Sequence, residues 1–531
     1  MPGAWRRVSA SARAASRLPN LVPILRDRNG CDELEERERS IIRARSDISY
    51  AFEWHTCSTP FRVELHVNKV DSPIAEMAGK PLTRRNLIKC ASVAAFAGMI
   101  GNRSFAQMGN GKPAAVTSNP AHTAAFPNKF LWGCATAGHQ VEGNNTSSDL
   151  WTLEHLPESM FKEPSGDACD HYHLYPQDIA LLADLGFNTY RFSLEWSRIE
   201  PEEGFFSHAQ LEHYRRMLAT CREHNLTTLL TYSHFSIPRW FAYRGGWQNP
   251  AAADLYARFC DKATKHLGDL VSYASTFNEP DIPQLLSWLV PSEHPEQSIN
   301  DRLQENFGKV RKQLNAPDFA DFFLGDGKRI RDGLMAAHHK GRDAMKSVRS
   351  DMPVGFNLAM LDDQAAPTDS HLAEKRADVY GPWLEVAKRC DYLGVQTYSR
   401  AIVGKKDLPP AKGVEVTQVG WEFYPECVEH VVRYASQETG VPIIVTENGI
   451  ATTDDSRRVE YLLRALTGLK RAIDDGVDVR GYVVWSLLDN FEWMSGFEPK
   501  FGLVAVDLVN QRRTIKPSAA VLGNIARRNS L

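Results

Sequence analysis

The sequence is short of cysteine, with nine in 531 residues, and no two of them stand as CxxC. That excludes a disulfide scaffold and leaves a structural zinc site without cysteine ligands. Charge of one sign is also missing. The 62 Lys and Arg against 65 Asp and Glu leave a formal net charge of -3, so no general field draws nucleic acid or an anionic membrane. No apolar run reaches the roughly 20 residues that a bilayer span needs. No strand-like run is followed by GxGxxG or by a Walker-type GxxxxGK, so no nucleotide-phosphate site is signalled. A repeat at fixed period is absent too, which excludes a solenoid. What the chain does have is apolar and aromatic residues. The hydrophobic fraction is 43%, with 12 Trp, 16 Tyr and 24 Phe. That is enough for a large core, and aromatic faces also bind sugars.

The chain is uneven at its start. Residues 1–76 carry Arg6, Arg7, Arg13, Arg17, Arg26 and Arg28 without a helical or strand period. They are expected to be a disordered or non-native extension ahead of a true start at Met77. Beyond Met77 come Thr83-Arg84-Arg85-Asn86-Leu87-Ile88-Lys89, a weakly apolar stretch over 90–101, and Ser104-Phe105-Ala106 before Gln107. Paired arginines, a short apolar region and a small-x-small cleavage site predict an export signal over 77–106. It is of the type read by the twin-arginine machinery, and the protein is then periplasmic or secreted. Residues 107–123, rich in Gly, Pro, Ser, Asn and Ala, read as a linker.

From 124 to 527 the pattern changes. Short runs rich in β-branched and aromatic residues occur at 130–135, 188–194, 227–232, 273–278, 354–358, 392–397, 442–446 and 481–486. Helical periods lie between them, at 176–185, 209–224, 250–267, 327–348, 424–439 and 457–475. Such alternation builds a parallel sheet, either closed or doubly wound. Eight units over about 400 residues predict an α/β fold, a (β/α)8 TIM barrel with insertions and a single catalytic domain.

Chemistry in such barrels sits at the C-terminal strand ends. The fourth run ends Thr276-Phe277-Asn278-Glu279-Pro280 and the seventh Thr446-Glu447-Asn448-Gly449. Each places a carboxylate at the barrel mouth. Two carboxylates facing one pocket are what glycoside hydrolysis requires: one protonates the leaving oxygen, and the other attacks the anomeric carbon or activates water. A salt bridge would explain one such Glu, but two, each beside an Asn, favour the catalytic reading.

These two motifs resemble the signatures of glycoside hydrolase family 1, the β-glucosidase family. The similarity continues in 130–137 with Gln140-Val141-Glu142-Gly143, in Asp170-His171-Tyr172-His173, in Tyr190-Arg191-Phe192-Ser193, in 420–425, and in 485–493 followed by Phe501-Gly502. The resemblance implies a retaining β-glycosidase, most simply a β-glucosidase, acting on a small β-glycoside or oligosaccharide without metal or cofactor. It implies Glu279 as general acid/base and Glu447 as nucleophile, with Arg191 and Tyr398 hydrogen-bonded to the nucleophile. It further implies Gln140, His234, Asn278, Glu492 and Trp493 as ligands of the non-reducing sugar, Trp485 as the floor beneath it, and Trp421 as a platform on the aglycone side. Glu492 speaks against a 6-phosphosugar, because its charge would repel the phosphate. A transglycosidase and a catalytically silent sugar-binding protein are the alternatives, and the presence of both glutamates counts against the second.

Some features depart from the family pattern. Gln396-Thr397-Tyr398 stands where the family has Asn-Tyr-Tyr, and His139 stands where it has Tyr. The segment after Pro280 carries Leu285-Leu286-Ser287-Trp288-Leu289-Val290 and then a charged helix-like insert as far as Asp326. That segment is expected either to hold a hydrophobic aglycone or to pack as a helix on the barrel. His171 and His173 have HxH spacing but read as loop structure. Trp132, Trp151, Trp196 and Trp247 read as packing, and the cysteines of the body as buried thiols.

Overall fold

The computed structural model describes residues 125–290 and 297–531. The expected extension, export signal and linker lie outside the described residues. Eight strands form a closed barrel: β1 (Leu131–Ala135), β2 (Thr189–Ser193), β3 (Thr227–Ser233), β4 (Tyr273–Asn278), β5 (Val354–Ala359), β6 (Leu393–Gln396), β7 (Ile443–Asn448) and β8 (Val479–Val484). Each pairs in parallel with its sequence neighbour, and β1 closes on β8 with Leu131 opposite Gly481. All residues of β1, β2, β5, β6 and β7 are buried. This is why these strands read as continuous apolar runs rather than alternating ones.

The helices that follow the strands in turn are α1 (His171–Leu185), α2 (His208–Glu223), α3 (Ala252–Leu267), α4 (Gly327–Val348), α5 (Gly381–Ala387), α6 (Cys427–Thr439), α7 (Asp455–Asp474) and α8 (Pro517–Arg528). Side chains of Ser207, Asp326 and Asp454 cap α2, α4 and α7, satisfying amide donors that a first helical turn leaves free. The first described segment ties to the last. Asn529 donates to the Phe126 carbonyl at 2.9 Å and accepts from the Trp132 indole at 2.9 Å.

Where the sequence reading slipped, the reasons are local. α1 starts at His171 rather than 176, and Pro176 sits inside the helix. His171 and His173 therefore lie on a helix, not a loop. The pair Leu372–Val379 and α5, between β5 and β6, was not foreseen: both are short, and the first has little apolar periodicity. β8 ends two residues before 486 because Trp485 leaves the strand to face the mouth. The six cysteines of the body are buried free thiols. Trp132, Trp196 and Trp247 are core residues, while Trp151 is half-buried against His155.

The segment after β4 folds as helices Ile282–Trp288 and Ile299–Leu314. Leu285, Trp288, Leu303 and Val310 are buried, and the Trp288 indole donates to Asp378 at 2.9 Å. Of the two expectations, helix packing is the one realised for these apolar side chains.

Candidate active site

Glu447 is the fifth residue of β7, beside Asn448, and it is buried. The next residue must be glycine: a Cβ on Gly449 would meet the Trp485 carbonyl oxygen at 2.1 Å. Three side chains donate to the Glu447 carboxylate. Arg191 from β2 and Gln396 from β6 (2.8 Å) reach Oε1, and the Tyr398 hydroxyl reaches Oε2. Tyr398 is fixed from behind, since the buried Tyr461 hydroxyl donates to its carbonyl at 2.7 Å. Asn448 faces away and ties the strands, with its amide donating to the Thr397 carbonyl at 2.6 Å and its oxygen accepting from Tyr482 at 2.7 Å.

Glu279 follows β4 directly and has the left-handed backbone, φ 44°, uncommon for a non-glycine residue and concentrated at functional sites. Its amide donates to the Asn357 carbonyl at 2.8 Å. No donor among the described residues reaches its carboxyl. Burial, then the charges of Glu447 and Asp281, hold Glu279 well above the usual carboxylate range, against the pull of Arg191. Burial raises Glu447 as well, but Arg191, Tyr398 and Gln396 pull it back. Of the pair, Glu279 holds the proton and Glu447 the charge.

The other residues expected on the sugar side converge here. Arg191 Nη2 donates to Asn278 Oδ1 at 2.5 Å, and Gln396 Nε2 does so at 2.9 Å. His234 stacks on Trp485 (5.8 Å between centroids, 26°) and on Trp493 (5.9 Å, 24°). Burial and Arg191 push the His234 imidazole well below its ordinary pKa, so it is neutral. Gln140 donates to the Phe491 carbonyl at 2.7 Å and to Glu492 at 3.4 Å. Trp421 stands at the rim, 40% exposed, with its ring 5.3 Å from that of Tyr398. Several buried polar atoms of this set have no partner among the described residues: Gln140 Oε1, His234 Nδ1, Asn278 Nδ2 and Gln396 Oε1. Each such atom costs about 1–3 kcal/mol if left unpaired, so the pocket is built for a ligand rich in hydroxyls.

The comparisons with known proteins give the family and the fold. The family described as Glycosyl hydrolase family 1 matches residues 122–380 and 385–531. The chain belongs to glycosyl hydrolase family 1. Beta-glucosidase A of Thermotoga maritima is 30% identical over 439 residues, covering 76% of this chain and 98% of that protein. The crystal structure of a β-glycosidase superposes with a TM-score of 0.72 at 46% identity, covering 76% of this chain and 98% of that one. A Thermotoga maritima β-glucosidase in complex with a substituted glucoimidazole gives 0.68 at 27% identity, covering 77% and 100%. The protein is thus a glycoside hydrolase.

Within this family 1 enzyme, Glu492 behaves differently from the expectation. Burial and the charge of Glu447 push its carboxyl up to about 8, with hydrogen bonds from Trp485 and Gln140 acting the other way. With its carboxyl held that high, Glu492 carries less charge at neutral pH than the expected repulsion of a 6-phosphate assumes.

Two features escaped the sequence reading. Gln396, noted only as a departure from the family pattern, bridges Glu447 and Asn278 through one amide. His139 is buried, donates from Nε2 to the Glu154 carboxylate at 2.7 Å, and lies flat against Trp493 (6.1 Å, 8°). Its side chain supports the sugar wall from behind. The adjacency of His139 to Gln140 in the first motif was the available signal. His171 and His173 do not converge: the first is buried on Asp178 (2.8 Å) and Tyr190, the second exposed on Asp170.

Proposed function

We propose that this enzyme is an exported β-glucosidase that releases terminal non-reducing glucose from β-glucosides with retention. Glu447 attacks the anomeric carbon while Glu279 protonates the departing oxygen, giving a covalent glycosyl-enzyme. Esterification removes the Glu447 charge, and with it a main cause of the raised Glu279 pKa. Glu279 then loses its proton readily and serves as base for the incoming water. Arg191 and Tyr398 hold the nucleophile ionised and oriented. Gln140, His234, Asn278, Glu492 and Trp493 bind the sugar hydroxyls over Trp485, and Trp421 meets the aglycone. The observation that carries this reading is the opposite setting of the two strand-end glutamates, one with donors on both oxygens and one with none.

The test is a panel of aryl β-glycosides with the product anomer followed by NMR. Glucoside preference and a β-anomer formed first are expected. A first-formed α-anomer would exclude retention, and preference for galactosides or 6-phosphoglucosides would exclude the glucosidase assignment. For export, the Arg84-Arg85 pair in its motif supports the twin-arginine route. Replacing both arginines with Lys is expected to keep activity in the cytoplasm, measured by fractionating cells, and unchanged periplasmic activity would refute that route.

A further inference from the structure

A cluster on the outside of the barrel has no part in this chemistry. His208 opens α2, and Glu212 lies four residues on, which puts both on one face of the helix. His266, next to the end of α3, meets them from the neighbouring helix. One ligand atom from each of the three lies within 4.8 Å of the others. His266 Nε2 and Glu212 Oε1 are 2.6 Å apart, and the two imidazole centroids 5.3 Å at 88°.

We propose that His208, Glu212 and His266 form a site for a borderline divalent cation such as Zn²⁺, clamping α2 to α3. Two imidazoles and one carboxylate are a set that zinc takes elsewhere, with a fourth position left to water. With Zn–N and Zn–O near 2.0–2.1 Å, the ligand atoms of a tetrahedral site stand about 3.3 Å apart. Side-chain rotation covers the difference from the observed spacing. The metal takes the place of the hydrogen bond between His266 Nε2 and Glu212 Oε1. The surroundings leave Glu212 available. Arg215, three residues further along the same helix, turns to Asp269 through two bonds of 2.7 and 2.8 Å. Its Nη1 also donates to the His266 carbonyl at 2.6 Å, which fixes the backbone under that ligand. All three ligands are at least partly exposed, so an ion can enter from solvent.

The probe is zinc alone, added to the EDTA-treated full chain. Equilibrium dialysis is expected to give one equivalent bound at 100 μM, together with a rise in Tm. Co²⁺ in its place is expected to give the intense visible bands of a low-symmetry site. His266→Ala and Glu212→Gln are each expected to weaken zinc binding at least ~10-fold, since even an outer partner of a metal costs that much. Hydrolysis of aryl glucosides should be unchanged in both variants, which also shows that they fold. No zinc uptake by the native chain, or equal uptake by the native chain and the folded variants, overturns the proposal.

Discussion

The ends of β4 and β7 carry the same residue in contrasting surroundings. At β7, Glu447 lies within the strand, where the pairing register shifts, and receives Arg191, Gln396 and Tyr398. At β4, Glu279 stands in left-handed backbone just past the strand, with acids for neighbours and no donor. The difference shows that the roles of two identical carboxyls are written by their surroundings, not by their motifs. Donors stabilise a charge that is to attack, while burial beside a charge retains a proton that is to be given.

The contrast breaks most completely at Glu447. Replacing it with Gly removes the nucleophile, and turnover should fall by several orders of magnitude, to the limit of detection. Added azide should then yield the inverted glycosyl azide, identified by NMR. A retained azide product would show that Glu447 is not the attacking group.

Glu279→Ala should come next and should depend on the leaving group. Proton transfer by a positioned acid contributes typically 10²–10⁴-fold, and a good leaving group does without it. The loss in kcat/KM should therefore be large for alkyl glucosides and small for dinitrophenyl glucoside. An equal loss for both would remove Glu279 from the acid role.

Tyr398→Phe sharpens the comparison from the other side. It deletes one of the donors that hold Glu447 down, so the folded pKa of Glu447 rises. Activity needs that carboxylate ionised, and the acidic limb of kcat/KM against pH should shift to higher pH, with a loss of roughly 10- to 150-fold at the optimum for one buried hydrogen bond to a charge. An acidic limb that stays in place would mean that Tyr398 does not act on Glu447.

Much of this was legible in the chain. The apolar runs of the buried strands, the helical periods between them and the glutamates at strand ends are local patterns, and they carried the barrel and the place of its chemistry. What could not be read was set by contacts between distant segments. Gln396 touches Glu447 and Asn278, residues far from it in sequence, and His139 reaches Trp493 across the fold. The protonation of Glu492 depends on burial and on Glu447, neither of which a motif displays. Those are the positions where residue type and role came apart.

Glu492 supplies the smallest expected effect. Its free-enzyme value of about 8 means that a sugar donating hydroxyl hydrogens to it favours the ionised form and lowers its pKa on binding. Binding then releases a proton, so affinity should rise with pH up to about 8 and level off above it. A hydrogen bond to a charged group is worth about 1 kcal/mol more than one between neutral groups, or roughly fivefold per bond. The dissociation constant of glucose, followed by intrinsic tryptophan fluorescence between pH 6 and 9, should tighten by about that factor in the native enzyme. In Glu492→Gln, which keeps the shape but cannot ionise, this part of the dependence should vanish, and the difference between the two proteins isolates it from Glu279 and Glu447. If the two curves run parallel across the range, Glu492 does not change its protonation on binding sugar, and the acceptor for those hydroxyls lies elsewhere in the pocket.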